Sequence, residues 1–369
     1  MFEFPERIAF RFMPEYVVVP ADLVKDRQVI LDLWRRNLAD VNQLDEKYDW
    51  HFLNNPFGTG QIWLLESNGE PIGTTSLGMR PLKLNKSLTT AGVACDLAVN
   101  KHHRFLQPAL MLQHALLASA RPGVRIVYGV PNSAGSAVMK YVGYQDFCCV
   151  HRYAKVLRIS HYLQKSGKLG TVIPFIGRMA DQGFAALHFF GRQRTRGLTQ
   201  VLPSFDERFD ELWNQITSEQ WALTVRDRRF LKWRYQECPL RQYKTLGLLT
   251  EDKSRLLGYL IYYIEGHSAV CADLLASGGP EDLDCLLSSW TALAWGCGLS
   301  SLSLSCSNGA LAANLLRHGF SRRSSAPQRK AARTKQHELC KTLFTHEQQS
   351  AIAPAAADSW YYTEGDSPY

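Results

Sequence analysis

The sequence predicts an α+β protein of two mixed-sheet domains in tandem, because one set of landmarks occurs twice in the same order. In each half a Leu-Trp pair on a helical pattern precedes a tryptophan, and a proline follows that tryptophan six residues later. Each half then closes with an asparagine and a Gly-aromatic pair at identical spacing. The matched positions are Leu33-Trp34 with Leu212-Trp213, Trp50 and Pro56 with Trp233 and Pro239, Asp96-Leu97 with Asp273-Leu274, and Asn132 and Gly143-Tyr144 with Asn308 and Gly319-Phe320.

Length and charge fit two domains with anionic partners. The chain has 369 residues, 46% of them hydrophobic, which is enough for two cores of ordinary size. The repeat predicts a first domain at residues 1–154, a basic, partly helical connector at 155–204 and a second domain at 205–369. Lysine and arginine outnumber aspartate and glutamate by 42 to 34, and the resulting charge of +8 favours a nucleotide cofactor, phospholipid headgroups or nucleic acid.

Composition also predicts the compartment. The nine cysteines form no CxxC pair and no metal-ligand spacing, so we expect reduced thiols and no metal site. The N-terminus has acidic residues and proline where a signal peptide needs a basic start and an apolar run. No stretch reaches about 18 consecutive apolar residues, the length that predicts a spanning helix. These features predict a cytoplasmic protein.

The first elements are a helix and a strand pair. The pattern LVKDRQVILDLWRRNLA, beginning at Leu23, predicts a helix. An aromatic-rich run follows it, and then two strand-like segments. Ser67-Asn68-Gly69-Glu70 predicts the hairpin tip between these strands, because Asn and Gly tolerate the positive φ that a two-residue turn requires.

Residues 92–144 form the central unit of the first half. Residues 92–99 are apolar and β-branched apart from Asp96, which indicates a buried strand with one charge. A polar, basic turn follows. From Pro108 onward the residues are strong helix formers, and a proline is tolerated in the first turn of a helix. Such a strand-turn-helix leaves backbone N–H groups able to hold phosphate.

The central unit continues with a second strand and a second helix. Residues 125–130 are again apolar and predict a short strand. Asn132 then opens a helix, because its side chain can cap the first turn, and Gly143 ends that helix.

This order of elements resembles the GNAT superfamily of N-acyltransferases, in which tandem proteins are a known arrangement. The family's turn has Gln or Arg, two residues, Gly, one residue, then Gly or Ala, and its amides bind the diphosphate of acetyl-coenzyme A. Arg104 and Ala109 match this pattern, whereas Gln107 replaces the glycine and Pro108 contributes no donor. The resemblance implies that acetyl-coenzyme A or another acyl-coenzyme A binds through Leu97, Ala98, Val99, Arg104, Phe105, Leu106, Gln107, Pro108, Ala109 and Asn132.

The resemblance also implies catalytic groups. Family members often take a base from the strand before the turn, where this chain has Asp96, although such a residue can equally satisfy backbone donors. They often take an acid from a tyrosine four residues before the closing glycine, but that position is Met139. Tyr128 and Tyr141 are the nearby candidate donors, and each can equally be a packing residue. The predicted catalytic residues are therefore Asp96, Tyr128 and Tyr141.

The second copy and the connector have different chemistry. Glu281, Asp282 and Asp284 put negative charge where a diphosphate would lie, so we expect no cofactor in the second copy. In the connector, residues 169–191 fit an amphipathic helix flanked by cations. That segment predicts either peripheral contact with an anionic membrane or a helical arm packed across the domains.

Three functions follow from the resemblance. The first is an N-acyltransferase that moves an acyl group from acyl-coenzyme A to an amine, which we expect to be a small molecule or a glycan precursor such as an amino sugar. Paired copies also resemble the Fem-type enzymes, which take amino acids from charged transfer RNA to cell-wall precursors. Apart from that case nucleic acid is not expected. A catalytically silent, ligand-binding scaffold is the third alternative.

Overall fold

The computed structural model has two mixed sheets that share one strand, with helices on them, which confirms the predicted α+β class. The predicted amphipathic segment at 169–191 lies outside the described residues. None of the helices within the described ranges is long and apolar enough to cross a membrane. The structure describes residues 15–84, 87–120, 122–161, 197–216, 222–323, 339–345 and 360–369.

The strands and helices are numbered in chain order. The strands are β1 Tyr16–Pro20, β2 Gln61–Ser67, β3 Glu70–Leu84, β4 Ser87–Val99, β5 Val124–Gly129, β6 Gln145–Val156, β7 Leu198–Leu202, β8 Ala222–Thr224, β9 Lys244–Leu249, β10 Leu256–Glu265, β11 Ser268–Ala276, β12 Ser301–Cys306, β13 Ser321–Arg323 and β14 Leu339–Thr345. The α-helices are α1 Arg27–Asn37, α2 Leu44–Tyr48, α3 Leu106–Ala118, α4 Ser133–Tyr141, α5 Glu207–Gln215, α6 Arg228–Leu231, α7 Pro280–Gly296 and α8 Gly309–Arg317.

The strand order reads equivalently from both edges of the sheet. From one edge it runs β1-β2-β3-β4-β5-β14, and from the other edge β7-β9-β10-β11-β12-β6. The β4–β5 and β11–β12 pairs are parallel, and the other neighbours along this path are antiparallel. The two halves therefore repeat one arrangement of strands.

The halves exchange their last strands. Residues 151–156 of β6, which comes from the first half, pair with β12 of the second half. The strand β14 comes from the second half and pairs with β5 of the first. Because of this exchange, neither sheet is completed by one contiguous segment of chain. The domain boundaries at 154 and 205 remain predictions.

A tryptophan pair lies where the two halves meet. Trp50 lies in the π-helical turn Asp49–Leu53, and Trp233 lies in the equivalent turn Lys232–Gln236. The indole of Trp50 donates to the Trp233 carbonyl at 2.9 Å, and the indole of Trp233 donates to the Trp50 carbonyl at 3.2 Å. The stacked rings have centroids 5.0 Å apart. Such reciprocal contacts are those of a local two-fold axis.

Two local motifs fold as the sequence predicts. The hairpin between β2 and β3 turns at Asn68 and Gly69, whose φ angles are 52° and 83°. The Asn132 side chain caps α4 by accepting a hydrogen bond from the Gly135 N–H at 2.8 Å. The helix α3 begins at Leu106, slightly before its predicted start.

The C-terminal segment, residues 360–369, lies along the seam between the halves. Trp360 is fully buried, and its ring centroid is 5.0 Å from that of Tyr128 on β5. The Arg80 guanidinium of the first half donates to the carbonyls of Ser367 and Pro368 at 2.8 and 3.0 Å. This packing brings the end of the segment to the first half's sheet.

Candidate functional site

A cleft of about 910 Å³ lies in the first half, bordered by the end of β4, the start of α3 and α4. The C-terminal segment forms a further wall. Most of the lining is apolar, and its charged side chains are Asp96 and Arg104. The lining residues are Asn37, Leu38, Ala94, Cys95, Asp96, Leu97, Ala98, Val99, Arg104, Phe105, Leu106, Ala109, Gln113, Val130, Pro131, Asn132, Ala134, Gly135, Val138, Met139, Ser367, Pro368 and Tyr369.

The cleft brings together most of the residues that the sequence predicts. Two predicted cofactor residues, Gln107 and Pro108, do not line it, and neither do the predicted proton donors Tyr128 and Tyr141. The predicted residues in its walls are Asp96, Leu97, Ala98, Val99, Arg104, Phe105, Leu106, Ala109 and Asn132.

Asp96 has an unusual backbone conformation inside β4. Its φ is 49°, and it is the one non-glycine residue with positive φ that lies within a described strand. The register between β3 and β4 shifts between Thr74 and Ser76, opposite Asp96 and Leu97. A β-bulge of this kind redirects a side chain. The left-handed backbone conformation of a non-glycine residue costs of the order of 1–3 kcal/mol. The strain is located at the acid that faces the cleft.

Both strong partners of Asp96 bind the same carboxylate oxygen. The Lys47 ammonium is 2.8 Å from Oδ1, and the two side chains are 6% and 2% exposed. The Tyr369 phenol also donates to Oδ1. Oδ2 is buried and has no hydrogen-bond partner among the described residues, although the Cys95 thiol lies beside the carboxylate. The carboxylate therefore keeps one unused acceptor at a residue that lines the cleft.

The turn before α3 presents backbone donors beside the cleft. No side chain caps α3, and no acidic residue lies in its first turn. The first N–H groups of a helix have no partner within it, so Leu106 and Gln107 offer their amides to a ligand. The Arg104 Nε donates to the Val99 carbonyl at 2.9 Å, which holds the guanidinium at the end of β4. These features suit an anion such as a diphosphate.

Gln107 stands where the GNAT pattern has glycine, yet its side chain is exposed and lies outside the lining. It therefore does not fill the cleft, contrary to what a bulky residue at a close-approach position suggests. Pro108 is a buried residue in the first turn of α3. Neither residue is part of the cleft lining.

The two predicted proton donors are placed away from the cleft. Tyr128 is fully buried, its hydroxyl donates to the Asp366 carbonyl at 2.9 Å, and burial raises the pKa of its phenol. Tyr141 is 73% exposed near the end of α4. The position of the family's tyrosine is occupied by Met139, which lines the cleft and carries no proton donor.

The equivalent acid of the second half has no open acceptor. Asp273 is fully buried, and the Arg226 guanidinium donates to it at 3.0 and 3.1 Å. The Thr363 hydroxyl donates to Oδ1 at 3.0 Å, and the Tyr259 hydroxyl to Oδ2 at 3.2 Å. In the turn that follows, the Asp282 carboxylate accepts from the Gly278 N–H at 2.8 Å.

Sequence reasoning missed two residues of the first-half site. Lys47 lies in the short helix α2, and a lysine in the pattern LDEKY is typical of a solvated surface. Tyr369 lies 273 positions from Asp96. The signal that the sequence offered was the aromatic content of the stretch DSWYYTEGDSPY, residues 358–369.

Comparison with known proteins identifies the fold. No family model and no curated protein matches the chain. It is similar in structure to a GCN5-related N-acetyltransferase from Anabaena variabilis, with a TM-score of 0.60 and 12% identity over 90% of this chain and 73% of that one. A GCN5-related N-acetyltransferase from Kribbella flavida gives 0.56 and 13% over 89% and 71%.

A candidate acetyltransferase from Pyrococcus horikoshii matches along the whole length, with a TM-score of 0.52 and 12% identity over 98% of both chains. At these identities the likeness concerns the fold. The chain has a GNAT-like fold, as the sequence predicts.

Proposed function

We propose that this chain is an N-acyltransferase whose first half binds acyl-coenzyme A and an amine in the cleft beside Asp96. The observation that carries the proposal is the placement of Asp96 next to the uncapped start of α3. The cleft there combines a carboxylate oxygen without a partner and unused backbone N–H groups. Acyl transfer from a thioester to an amine needs both an acceptor for the amine's proton and a site for the diphosphate.

The donor substrate fits the side of the cleft next to α3. The diphosphate would bind the amides of Leu106 and Gln107, with the Arg104 guanidinium nearby as the cationic group. The apolar walls suit the less polar arm that carries the thioester. The exposed Phe105, which also borders the cleft, adds apolar surface at its mouth.

Asp96 is the group that we assign to the amine. An amine enters mainly as an ammonium ion, and Oδ2 accepts a hydrogen bond and then a proton from it. The nitrogen lone pair forms the C–N bond with the thioester carbonyl, and the C–S bond breaks. The second proton lost by the nitrogen ends on the sulfur, which leaves as a thiol, while Asp96 returns its proton to water. The Lys47 ammonium balances the carboxylate when it is ionised.

The acceptor that we propose is a primary amine on a small molecule or glycan precursor, because a mainly apolar cleft with one acid recognises an ammonium group most directly. Peripheral membrane contact through residues 169–191 is a separate proposal, which lipid-vesicle co-sedimentation would test.

Thermal unfolding with and without acetyl-coenzyme A tests binding of the donor. Millimolar ligand is expected to raise the Tm, because a ligand that binds only the folded state stabilises it. Arg104→Ala should weaken binding. Arg125→Ala removes an exposed arginine on β5, outside the cleft lining, and serves as the control. An equal loss in both variants would mean that only the net charge matters.

Release of free thiol in a panel of amines tests the reaction. Asp96→Asn should lower the rate by about 10²–10⁴, the usual range for a general base, while the affinity for acetyl-coenzyme A stays unchanged. A wild-type protein that neither binds acetyl-coenzyme A nor releases thiol would contradict the proposal. That result would favour the Fem-type or the silent-scaffold alternative, since Met139 leaves the cleft without the family's usual acid.

A further inference from the structure

We infer that Tyr369, which comes from the C-terminal segment of the second half, is the positioning residue that sets Asp96 for the reaction. This inference rests on the proposed function. It means that the site of the first half is incomplete without a residue from the far end of the chain. The tyrosine acts through the carboxylate and not on the acyl donor.

Hydrogen bonds occupy one oxygen of the carboxylate and leave the other, which is buried, without a partner in the described part of the chain. The Tyr369 hydroxyl and the Lys47 ammonium both donate to Oδ1 of Asp96. Two charge-assisted donors on one oxygen fix the rotation of the carboxyl group. Oδ2, which has no partner in the described part of the chain, is thereby held as the acceptor for the amine.

Tyr369 can only donate to Asp96 in this position. Its ring lies against the Lys47 ammonium, 4.1 Å from nitrogen to ring centroid, and edge-on to His51 with centroids 5.5 Å apart. Burial, and then the charge of Asp96, raises the pKa of the Tyr369 phenol well above its ordinary value. The phenol therefore keeps its proton. An ionised carboxylate has no proton to give back, so the direction of this bond is fixed.

The contacts of the C-terminal segment explain why the second half is needed. Arg80 holds the Ser367 and Pro368 carbonyls, and Arg226 of the second half binds the Asp366 carboxylate at 2.9 Å. These anchors place Tyr369 within reach of Asp96. A second copy whose own acid is fully occupied would thus still serve the reaction, because it sets the position of this segment.

Tyr369→Phe is the test variant, because it keeps the ring against Lys47 and removes only the O–H. We expect kcat/KM for the amine to fall by about tenfold to a hundredfold, the usual worth of a hydrogen bond to a charged group. Binding of acetyl-coenzyme A should not change. Tyr141→Phe is the matched control, since that tyrosine is 73% exposed, and it should leave kcat/KM unchanged.

The pH profile separates positioning from packing. The groups that face Asp96 are the Lys47 ammonium, the Tyr369 phenol and the Cys95 thiol, and His51 and Arg80 lie around them. Losing one donor makes the carboxylate easier to protonate. The acidic limb of kcat/KM should therefore move to higher pH in Tyr369→Phe.

Two outcomes would overturn the inference. One is an active wild type for which Tyr369→Phe has the same kcat/KM and the same pH profile. The other comes from thermal unfolding, which does not depend on activity: Tm losses for Tyr369→Phe and Asp96→Asn that add fully in the double variant would show that the two groups do not interact. Absence of thiol release by the wild type would instead overturn the proposed function, and the unfolding cycle would still test the bond.

Discussion

Asp96 and Asp273 occupy equivalent strands of the two halves, but their carboxylates differ in how many oxygens accept hydrogen bonds. Asp273 uses both oxygens in bonds to Arg226, Tyr259 and Thr363. Asp96 lines the cleft, uses one oxygen in hydrogen bonds and keeps the other buried, without a hydrogen-bond partner among the described residues. Repetition of a fold therefore does not repeat its chemistry, because the partners of each acid come from segments that the repeat does not constrain.

The helices that follow these strands differ in the same way. The start of α3 has no side-chain cap and no acid in its first turn, whereas the first turn of α7 carries Glu281 and Asp282. The Asp282 carboxylate already accepts a hydrogen bond from the Gly278 N–H. An anion at the start of α7 would be repelled by this negative charge. The repulsion offsets the favourable interaction of the anion with the helix dipole.

The largest difference between the halves should appear when the cation beside each acid is removed. Arg226→Met leaves the buried Asp273 and Asp366 without their cation and should lower the free energy of unfolding by about 3–5 kcal/mol. Lys47→Met should cost less, because Lys47 balances one carboxylate, which keeps the Tyr369 donor, whereas Arg226 balances two. Urea unfolding measures both. Equal losses in the two variants would contradict the view that the second acid depends more on its cation.

Two buried lysines, Lys155 and Lys47, differ in whether a carboxylate balances their charge. Lys155 on β6 is 4% exposed and contacts the Thr291 hydroxyl at 3.5 Å, whereas Lys47 has a carboxylate. Burial lowers the pKa of Lys155 from 10.5 to about 8. Below pH 8 Lys155 is charged in both the folded and the unfolded chain. The free energy of unfolding is therefore lowered by the full cost of burying that charge.

Lys155→Met should therefore raise the free energy of unfolding at pH 7 by about 1–3 kcal/mol. Between pH 8 and 10.5 the unfolded wild-type chain holds the proton more tightly than the folded one, so wild-type stability rises with pH. The advantage of the variant should shrink across that window. An advantage that does not vary with pH would locate the effect in packing alone.

Removing the carboxylate at the start of α7 should have a smaller effect. Asp282→Ala deletes the acceptor for the Gly278 N–H and should cost about 0.5–2 kcal/mol, the usual range for a lost cap. Glu281→Ala, at an exposed neighbour in the same turn, is the control for charge. If Asp282→Ala alone created a second site for acetyl-coenzyme A in calorimetric titration, this carboxylate would be the main barrier to binding there.

The smallest effect should come from giving α3 the charge that α7 carries. Gln107→Glu keeps the size of an exposed side chain and places an acid in the first turn. It should weaken acetyl-coenzyme A binding about two- to fivefold, because a charge at a helix N-terminus is worth about 0.3–1 kcal/mol. Titrations at low and high salt should show the difference shrinking as the salt rises. Gln107→Asn is the uncharged control, and a similar loss in that variant would point to side-chain shape.

Short-range features were predictable because their causes lie within a few residues. The Asn68-Gly69 turn and the Asn132 cap have the predicted conformations, since each depends on the backbone preferences of its own residues. The order of strands and helices around Asp96 also follows from local patterns. Asp96 stood out because it is the one charge in an apolar strand.

The tyrosines show the limit of reasoning from local patterns. Tyr128 and Tyr141 are near the expected position in sequence, yet one is in the core and the other is exposed. Tyr369 is far away in sequence and contacts the acid. Helix phase and spacing describe one element, and they hold no information on which distant segment packs against it.

The amino-acid sequence by itself determined the repeated α+β arrangement and made Asp96 a candidate, because periodicity, turn residues and caps act over one element at a time. Only the tertiary structure decided which strands the halves exchange, which acid keeps an oxygen without a hydrogen-bond partner, and that Lys47 and Tyr369 meet at that acid. Those outcomes depend on contacts between segments far apart in the chain. A buried charge needs a partner, and the packing of those segments decides which groups lie within hydrogen-bond distance of it.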